Sequence, residues 1–280
     1  MNIKILVATH KPGEVYQDEI YTPIQVGKEL SPYNIDNMIG DNTGDNISEK
    51  NPMYCELTAL YWAWKNLKNI DYIGLCHYRR YFDFYKQTRW YLPLTIKSTE
   101  TMQNFNFRIP PKVLNKLSKG KIIVSRKEIL RESLYTHYCL FHIGDDIRIL
   151  KDVIEATNDY KYIQAFNKIM LQNSFSPYNM FIMSWQEFDK YCTWLFSILT
   201  KVEEKIDTSN YNNVQKRIYG YMAERLFNVY ITAQKIKTQK YPVVQFTDNK
   251  TKDNQSFIEY CTKSCIKKIS HFFSLPPANF

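Results

Sequence analysis

Glycine is scarce in this chain, with 8 residues in 280. The glycine patterns through which backbone amides bind phosphate, Gly-x-x-x-x-Gly-Lys-Ser/Thr and Gly-x-Gly-x-x-Gly, do not occur. The Gly-x-Ser-x-Gly turn that carries the nucleophile of many serine hydrolases is also missing. These absences exclude the standard P-loop, dinucleotide-binding and serine-hydrolase sites.

Long apolar runs are absent as well. No stretch approaches the ~20 apolar residues of a transmembrane helix. The run from Met1 to Ala8 is too short for a signal peptide, and Lys4 interrupts it. The cysteines are scattered apart from Cys261 and Cys265, and they have no partners at metal-binding spacing. We therefore expect a cytoplasmic protein with reduced thiols and no zinc site.

Basic residues outnumber acidic ones, with 37 Lys and Arg against 28 Asp and Glu, so the formal charge is +9 at pH 7. This excess favours nucleic acid, an anionic membrane surface or a phosphorylated small molecule as the partner. No helix-turn-helix, zinc-finger or RNA-binding motif is visible, so we expect no nucleic acid.

Strand-like and helix-like segments alternate along most of the chain. Apolar runs predict buried strands at residues 3–8, 71–76, 121–124 and 179–183, with a further extended segment at 21–27. Helical spacing predicts helices over residues 53–68, 186–199 and 218–235, and one or two more between 145 and 170. Residues 84–120 lack a clear period and are predicted to be an insertion of loops. The alternation predicts an α/β fold with a mainly parallel sheet flanked by helices.

Three basic loops follow predicted strands, at residues 9–11, 77–80 and 125–127. Because the carboxyl ends of parallel strands meet at one edge of a sheet, these loops are predicted to converge there. Clustered Arg and His side chains suit a diphosphate, to which Arg donates paired hydrogen bonds. No two Asp residues lie two positions apart, so the sequence has no Asp-x-Asp motif to hold a metal ion. Positive side chains are therefore candidates for neutralising a diphosphate. The alternative is three unrelated solvated loops.

The segment 39–48 is rich in Gly, Asp and Asn, which predicts a tight loop. It is either a surface turn or a ligand-binding loop with two carboxylates. Its candidate ligand-binding residues are Asp41, Asn42, Gly44 and Asp45.

Several blocks of the sequence resemble one bacterial family. They are ILVATHK (5–11), IGDNTGDNIS (39–48), YCELTALYWAWKN (54–66) and HYRRYF (77–82), with NMFIM (179–183) and ERLF (224–227) also similar. This family of capsule, exopolysaccharide and O-antigen gene clusters was long catalogued as a domain of unknown function. It is now regarded as a galactofuranosyltransferase family. The resemblance spans about residues 1–246, which we take as one glycosyltransferase domain.

The resemblance implies a GT-A-like fold, UDP-galactofuranose as the donor, and an inverting transfer to a lipid-linked glycan. Donor binding is then assigned to Thr9, His10, Asp41, Asn42, Gly44, Asp45, His77, Arg79 and Arg80. Acceptor binding is assigned to Tyr178, Asn179 and Arg225. Glu224 is the first candidate for the catalytic base, while Asp41, Asp45 and Asp145 remain open. Mg²⁺ or Mn²⁺ stays open as a cofactor.

The tail at residues 251–280 contains a basic amphipathic pattern that predicts a helix over residues 257–273. An apolar helical stripe comprises Ile258, Cys261, Cys265, Ile269 and Phe272. The lysines beside it are Lys263, Lys267 and Lys268. Such a helix either binds an anionic membrane, here the inner face of the plasma membrane, or packs on the domain.

Two other classes of function fit the same residues. One is a nucleotidyl- or phosphotransferase that uses the basic edge of the sheet. The other is a non-catalytic glycan- or lipid-binding partner of a polysaccharide synthase.

Overall fold

The computed structural model describes residues 1–248 and 256–273. The strands are β1 Ile3–Thr9, β2 Tyr21–Gln25, β3 Ile39–Gly40, β4 Tyr72–His77, β5 Arg80–Phe82, β6 Leu94–Ser98, β7 Ile122–Ser125, β8 Glu128–Ile129, β9 Ser174–Phe175, β10 Phe181–Ser184, β11 Thr238–Tyr241 and β12 Val243–Thr247. The helices are α1 Asn51–Tyr54, α2 Leu57–Asn66, α3 Pro111–Ser118, α4 Leu134–Phe141, α5 Gly144–Glu155, α6 Tyr160–Leu171, α7 Trp185–Glu203, α8 Ile218–Ala233 and α9 Phe257–Phe273. Of the predicted tail, residues 251–255 and 274–280 lie outside the described part.

Ten of the described strands form one mixed sheet, whose main path runs β11-β7-β10-β4-β1-β2-β3. β1 is parallel to both β2 and β4. β10 is antiparallel to β4 and to β7, so β1, β4 and β7 point the same way. The predicted α/β architecture is confirmed. Within this main path, β10 runs antiparallel to its two neighbours.

A short extension completes the sheet beyond this path. β12 pairs antiparallel with β5 and parallel with β6, and β5 also pairs with β4. The prediction that residues 84–120 are only loops is wrong, because this segment contains β6 and α3. β6 gains its order from pairing with β12, more than 140 residues later in the chain, which no local period reveals.

The sheet is buried on both faces, as the unbroken apolar run of β1 suggests. Leu6 and Ala8 of β1 face a core formed with α2 and α4 to α8. Ile5 and Val7 face the opposite core, formed with α3, β5 and β12. This double burial holds the ends of the central strands rigidly in place.

The predicted helix over residues 53–68 is broken in the structure. α1 ends at Tyr54 and α2 begins at Leu57, because Cys55 has a φ of 53° and a ψ of −131°. The Asn51 side chain stabilises the break by donating a 2.7 Å hydrogen bond to the Cys55 carbonyl. The break places Glu56 at a bend between two helices instead of within a first helical turn.

The predicted C-terminal amphipathic helix is confirmed as α9, with the same limits. Among the described residues, no helix combines the length and the apolar character needed to cross a membrane.

Candidate functional site

A cavity of about 700 Å³ lies beyond the carboxyl ends of β1 and β4. His10 follows β1, and His77 ends β4, so both predicted loops reach it. The other wall comes from the α1–α2 break and the start of α8. The lining residues are Ala8, His10, Val26, Asn51, Pro52, Cys55, Glu56, His77, Tyr78, Arg79, Arg80, Tyr178, Asn213, Lys216, Arg217, Gly220, Tyr221, Glu224 and Gln245.

The two walls approach closely at Gly220. A Cβ atom at this position would lie 3.0 Å from Cys55 Sγ and 3.2 Å from Cys55 Cβ. Glycine therefore lets α8 pack directly against the α1–α2 break, which brings Glu224 and Glu56 to the same cavity.

The cavity is rich in cations. Arg80 donates a 2.8 Å hydrogen bond from Nε to Gln245 Oε1, and its guanidinium lies 4.8 Å from the Tyr178 ring. Arg79 forms an exposed ion pair of 3.2 Å with Asp248. Neither contact uses all the donors of its guanidinium group, so both can still bind an anionic ligand.

Lys216 and Arg217 add positive charge from the opposite wall. Arg217 points Nε at Cys55 Sγ, at 3.4 Å, and its guanidinium lies 5.5 Å from the Tyr221 ring. Sequence reasoning missed these two cations. The available signal was their position directly before the helix predicted to begin at residue 218.

The Tyr178–Asn179 turn is the centre of the hydrogen-bond network. Both residues have positive φ, 77° and 52°, a conformation that non-glycine residues rarely adopt. His77 Nε2 donates to the Tyr178 carbonyl at 2.7 Å, and the Tyr178 amide donates to Glu224 Oε1 at 3.0 Å. Asn179 Nδ2 donates to Glu56 Oε1 at 2.7 Å. Backbone strain of this kind persists where surrounding contacts hold the conformation in place, and it is common at functional sites.

Two carboxylates therefore line the cavity. Burial raises the pKa of Glu224, against the opposing effect of Arg225, whose Nη1 lies 4.0 Å from Glu224 Oε2. Glu56 is the second carboxylate, and its charge also contributes to the raised pKa of Glu224. A carboxylate with a raised pKa is a stronger base than an ordinary glutamate.

Both histidines of the cavity have a lowered pKa. Burial lowers the pKa of His77, while the nearby Glu56 carboxylate opposes the shift. Burial, followed by the charge of Lys11, lowers the pKa of His10. His77 thus positions the Tyr178 carbonyl, and the positive charge of the cavity comes from arginine and lysine.

Several predicted site residues lie outside the cavity lining. Thr9 is buried and donates from Oγ1 to the Val7 carbonyl at 3.0 Å. Arg225 is buried behind Tyr221, to whose carbonyl it donates at 2.9 Å. Asp145 pairs with Arg148 on the surface of α5.

The Asp41 loop is also apart from the cavity. Asp41 is fully buried and accepts hydrogen bonds from the amides of Gly27 and Lys28, at 2.8 and 3.0 Å, and from Ser48 Oγ at 2.5 Å. Asp45 is exposed and accepts from the Tyr61 hydroxyl at 3.1 Å. In the same loop, Asn42 donates to Glu29, and Gly44 has a φ of 58°.

The third basic loop does not reach the cavity lining either. Arg126 donates to the Trp90 carbonyl, and Ser125 donates to the Pro177 carbonyl at 2.8 Å. Two of the three predicted loops therefore supply the cavity.

The described side chains do not form a protein-held metal site. No group of three or more His, Cys, Asp or Glu side chains able to hold a metal ion occurs in residues 1–248 and 256–273. The cavity offers Glu56 and Glu224, each of which already accepts a hydrogen bond.

Comparisons with known proteins agree with this architecture. The family model described as "Domain of unknown function (DUF4422)" matches residues 4–235. Among solved structures, the chain is similar to the apo form of WbbM, described as a bifunctional glycosyltransferase, with 31% identity and a TM-score of 0.79. The match covers 88% of this chain and 46% of that chain, so this chain spans about half the length of WbbM. A comparison with curated proteins finds no match. The similarity confirms that the chain has a fold found in a glycosyltransferase structure.

Proposed function

Since this chain belongs to the DUF4422 family and resembles WbbM over 88% of its length, we propose that it is a glycosyltransferase. The observation that carries the proposal is the cavity at the ends of β1 and β4, which combines cations with two carboxylates. A volume of about 700 Å³ lies within the range of small-molecule and cofactor sites, which are roughly 300–1,000 Å³.

The donor is a UDP-sugar bound across the cavity. Its nucleoside lies against His10 and Val26 at the ends of β1 and β2. Its diphosphate lies between Arg79 and Arg80 on one wall and Arg217 on the other. Guanidinium groups match phosphate oxygens in geometry and remain charged at every physiological pH.

The reaction is a single in-line displacement with inversion. Glu224 accepts the proton of the acceptor hydroxyl while that oxygen forms a bond to the anomeric carbon of the donor. The bond from the anomeric carbon to the phosphate oxygen breaks, and UDP leaves with its electron pair. Arg79, Arg80 and Arg217 neutralise the charge that develops on the diphosphate. The described side chains do not fit a metal site, so no step is assigned to a metal ion.

The donor sugar is galactofuranose and the acceptor is a lipid-linked glycan of a bacterial surface polysaccharide. This part of the proposal rests on the sequence blocks shared with the galactofuranosyltransferase family. Tyr178 and Tyr221 line the cavity with rings on which sugar faces can pack, and Asn179 supports Glu56 from behind.

The decisive experiment incubates the purified protein with UDP-galactofuranose and a synthetic lipid-linked acceptor. Release of UDP, together with a product heavier by one hexose, is the expected result. Binding of the acceptor without turnover would favour a non-catalytic partner of a synthase. Transfer of a phosphoryl or nucleotidyl group would favour the alternative enzyme class. Parallel reactions with UDP-galactopyranose and UDP-glucose separate failure of the donor assignment from failure of the transferase assignment.

A further inference from the structure

Helix α9 packs on the domain through one face only. Lys267 Nζ donates a 2.7 Å hydrogen bond to the Ile129 carbonyl. The rings of Phe257 and Tyr260 lie 5.3 and 6.1 Å from the Tyr91 ring. A small cavity of about 220 Å³ remains between this face and the segment around β6 and β8.

The apolar stripe of α9 points away from the domain. Ile258 is 76% exposed, and Ile269 is 61% exposed. Cys261 and Cys265 on the same stripe are exposed as well. At about 100° per residue, the stripe lies roughly opposite Tyr260 and Lys267, which face the domain. The helix thus packs through Phe257, Tyr260 and Lys267 and exposes its aliphatic stripe, whereas an ordinary surface helix buries its apolar stripe.

The charge beside the stripe is positive. Lys268 lies directly beside the stripe and is exposed, while Lys263 lies toward the packed face and lines the small cavity. The acidic residue in the first turn, Glu259, forms hydrogen bonds with Ser256 at the start of the helix. An apolar stripe with a lysine beside it matches the interface of an anionic membrane, where the apolar groups enter the acyl boundary and the ammonium group meets headgroup phosphates.

We propose that the outward face of α9 binds the surface of a membrane that contains anionic lipids. The helix lies in the plane of the interface, with Ile258, Cys265 and Ile269 buried among the lipid chains. The proposal concerns a surface outside the catalytic cavity and does not depend on which reaction the cavity performs.

The position of α9 places this surface next to the catalytic cavity. Glu128 is near both Lys267 of α9 and Arg80 of the cavity wall. Burial raises the pKa of the Glu128 carboxyl, and the charges of Lys267 and Arg80 oppose that rise. Glu128 also lines the small cavity against α9, together with Tyr260 and Lys267. A protein bound to a membrane through α9 holds its cavity beside the bilayer, where a lipid-linked acceptor resides.

The test measures co-sedimentation of the full chain with vesicles of phosphatidylcholine, with and without phosphatidylglycerol. We expect binding to the anionic vesicles and little to the neutral ones. Lys268→Gln lowers the partition coefficient about fivefold, at ~1 kcal/mol for the lysine. Ile258→Gln/Ile269→Gln lowers it at least about tenfold, because apolar area is no longer buried.

Matched controls carry the same chemical changes elsewhere. Leu30→Gln removes an exposed apolar side chain, since Leu30 is 58% exposed. Lys112→Gln removes one exposed lysine at α3. Both controls should bind as the unmodified protein does, and melting temperatures should agree across the set.

Three outcomes would overturn the proposal. The first is equal binding by the Ile258→Gln/Ile269→Gln variant and its Leu30→Gln control. The second is equal binding of the unmodified protein to neutral and anionic vesicles. The third is a concentration-dependent dimer that the Ile258→Gln/Ile269→Gln variant abolishes, because the face would then serve a second copy of the chain. Hydrolysis of the free donor in solution should be the same in all variants, so loss of vesicle binding stays distinct from a failed catalytic assignment.

Discussion

At the scale of single residues, the cavity depends on two neighbours with uncommon backbone conformations. Tyr178 and Asn179 both have positive φ, and their turn is held by His77, Glu224 and Glu56. The strained turn fixes both carboxylates in place before any ligand binds. Such pre-organisation is what a base needs if it is to meet an acceptor hydroxyl without reorganising.

Replacing Glu224 by Gln is expected to lower turnover by about 10²- to 10⁴-fold, the usual contribution of a general base. Burial raises the pKa of Glu224 above its ordinary value of 4.5, and only the ionised form accepts a proton. The rate of the unmodified protein should therefore fall as the pH decreases, and the midpoint of this acidic limb should lie above pH 4.5. The measurement is kcat as a function of pH.

Glu56→Gln serves as the comparison, because Glu56 lines the same cavity. We expect it to retain more activity than Glu224→Gln and to keep the acidic limb of the pH profile. If Glu56→Gln is the more damaging change and abolishes the limb, Glu56 is the base.

The variants Arg79→Ala and Arg80→Ala are expected to reduce turnover by about 10²- to 10³-fold each, the loss usual for one stabiliser of a developing negative charge. Their melting temperatures should change little. The Arg79 side chain makes an exposed ion pair with Asp248 and lies over the Tyr78 ring, and the Arg80 side chain makes one hydrogen bond to Gln245 and lies over the Tyr178 ring. Contacts of this kind contribute little to stability. Arg126→Ala is the matched control, since Arg126 lies in a basic loop outside the cavity lining. Wild-type turnover in both folded variants would show that these arginines are surface residues.

At the scale of elements, the Asp41 loop illustrates how a motif with ligand-like composition can instead stabilise a turn. The Asp41 carboxylate accepts hydrogen bonds from Gly27 and Lys28, which follow β2. It also accepts one from Ser48, which lies seven residues after Asp41. Its carboxylate is buried, and its hydrogen-bond donors are two backbone amides and one hydroxyl. A polar brace of this type fixes the segment that leads into α1 and hence the position of the α1–α2 break.

Asp41→Ala is expected to destabilise the protein by about 3 kcal/mol, because it leaves buried donors without an acceptor. The measurement is the free energy of unfolding from a denaturant titration. Asp45→Ala is the control and should cost less than about 1 kcal/mol, since Asp45 is exposed. If Asp41→Ala keeps normal stability but loses donor binding, the loop is part of the donor site instead.

At the scale of the whole molecule, the proposed function gives positive side chains the role that a metal ion has in transferases with an Asp-x-Asp motif. The net charge of +9 is partly concentrated at the cavity, where Arg79, Arg80, Lys216 and Arg217 meet. Fixed cations in a partly enclosed cavity interact with a diphosphate more strongly than the same charges do in water.

Turnover is therefore expected to survive excess EDTA and to change little when Mg²⁺ or Mn²⁺ is added back. The reason is that the cavity's cations can neutralise the leaving diphosphate without a metal ion. The control is a transferase that carries an Asp-x-Asp motif, assayed under the same conditions. Complete loss of turnover on chelation, restored by either metal ion, would contradict this expectation.

The sequence alone determined those elements whose pattern repeats within a short window. The apolar run of β1, the helical stripes of α7 and α8, and the limits of α9 all follow from spacing that a few turns of helix or one strand define. Because parallel strands end at the same edge of a sheet, the sequence also predicted that residues 9–11 and 77–80 lie close together.

The tertiary structure decided what depends on contacts between distant parts of the chain. His77 and Tyr178 are 101 positions apart, and Glu56 and Asn179 are 123 apart. The break at Cys55 and the inclusion of Arg217 also depend on the packing of α8 against the α1–α2 break. Arg126 instead binds the Trp90 carbonyl, outside the cavity lining. The face of α9 that meets the domain is set by Ile129 and Tyr91, which its own sequence cannot specify. A local period encodes which side of an element is apolar, whereas only the packed partners determine whether that side faces a core, a cavity or the solvent.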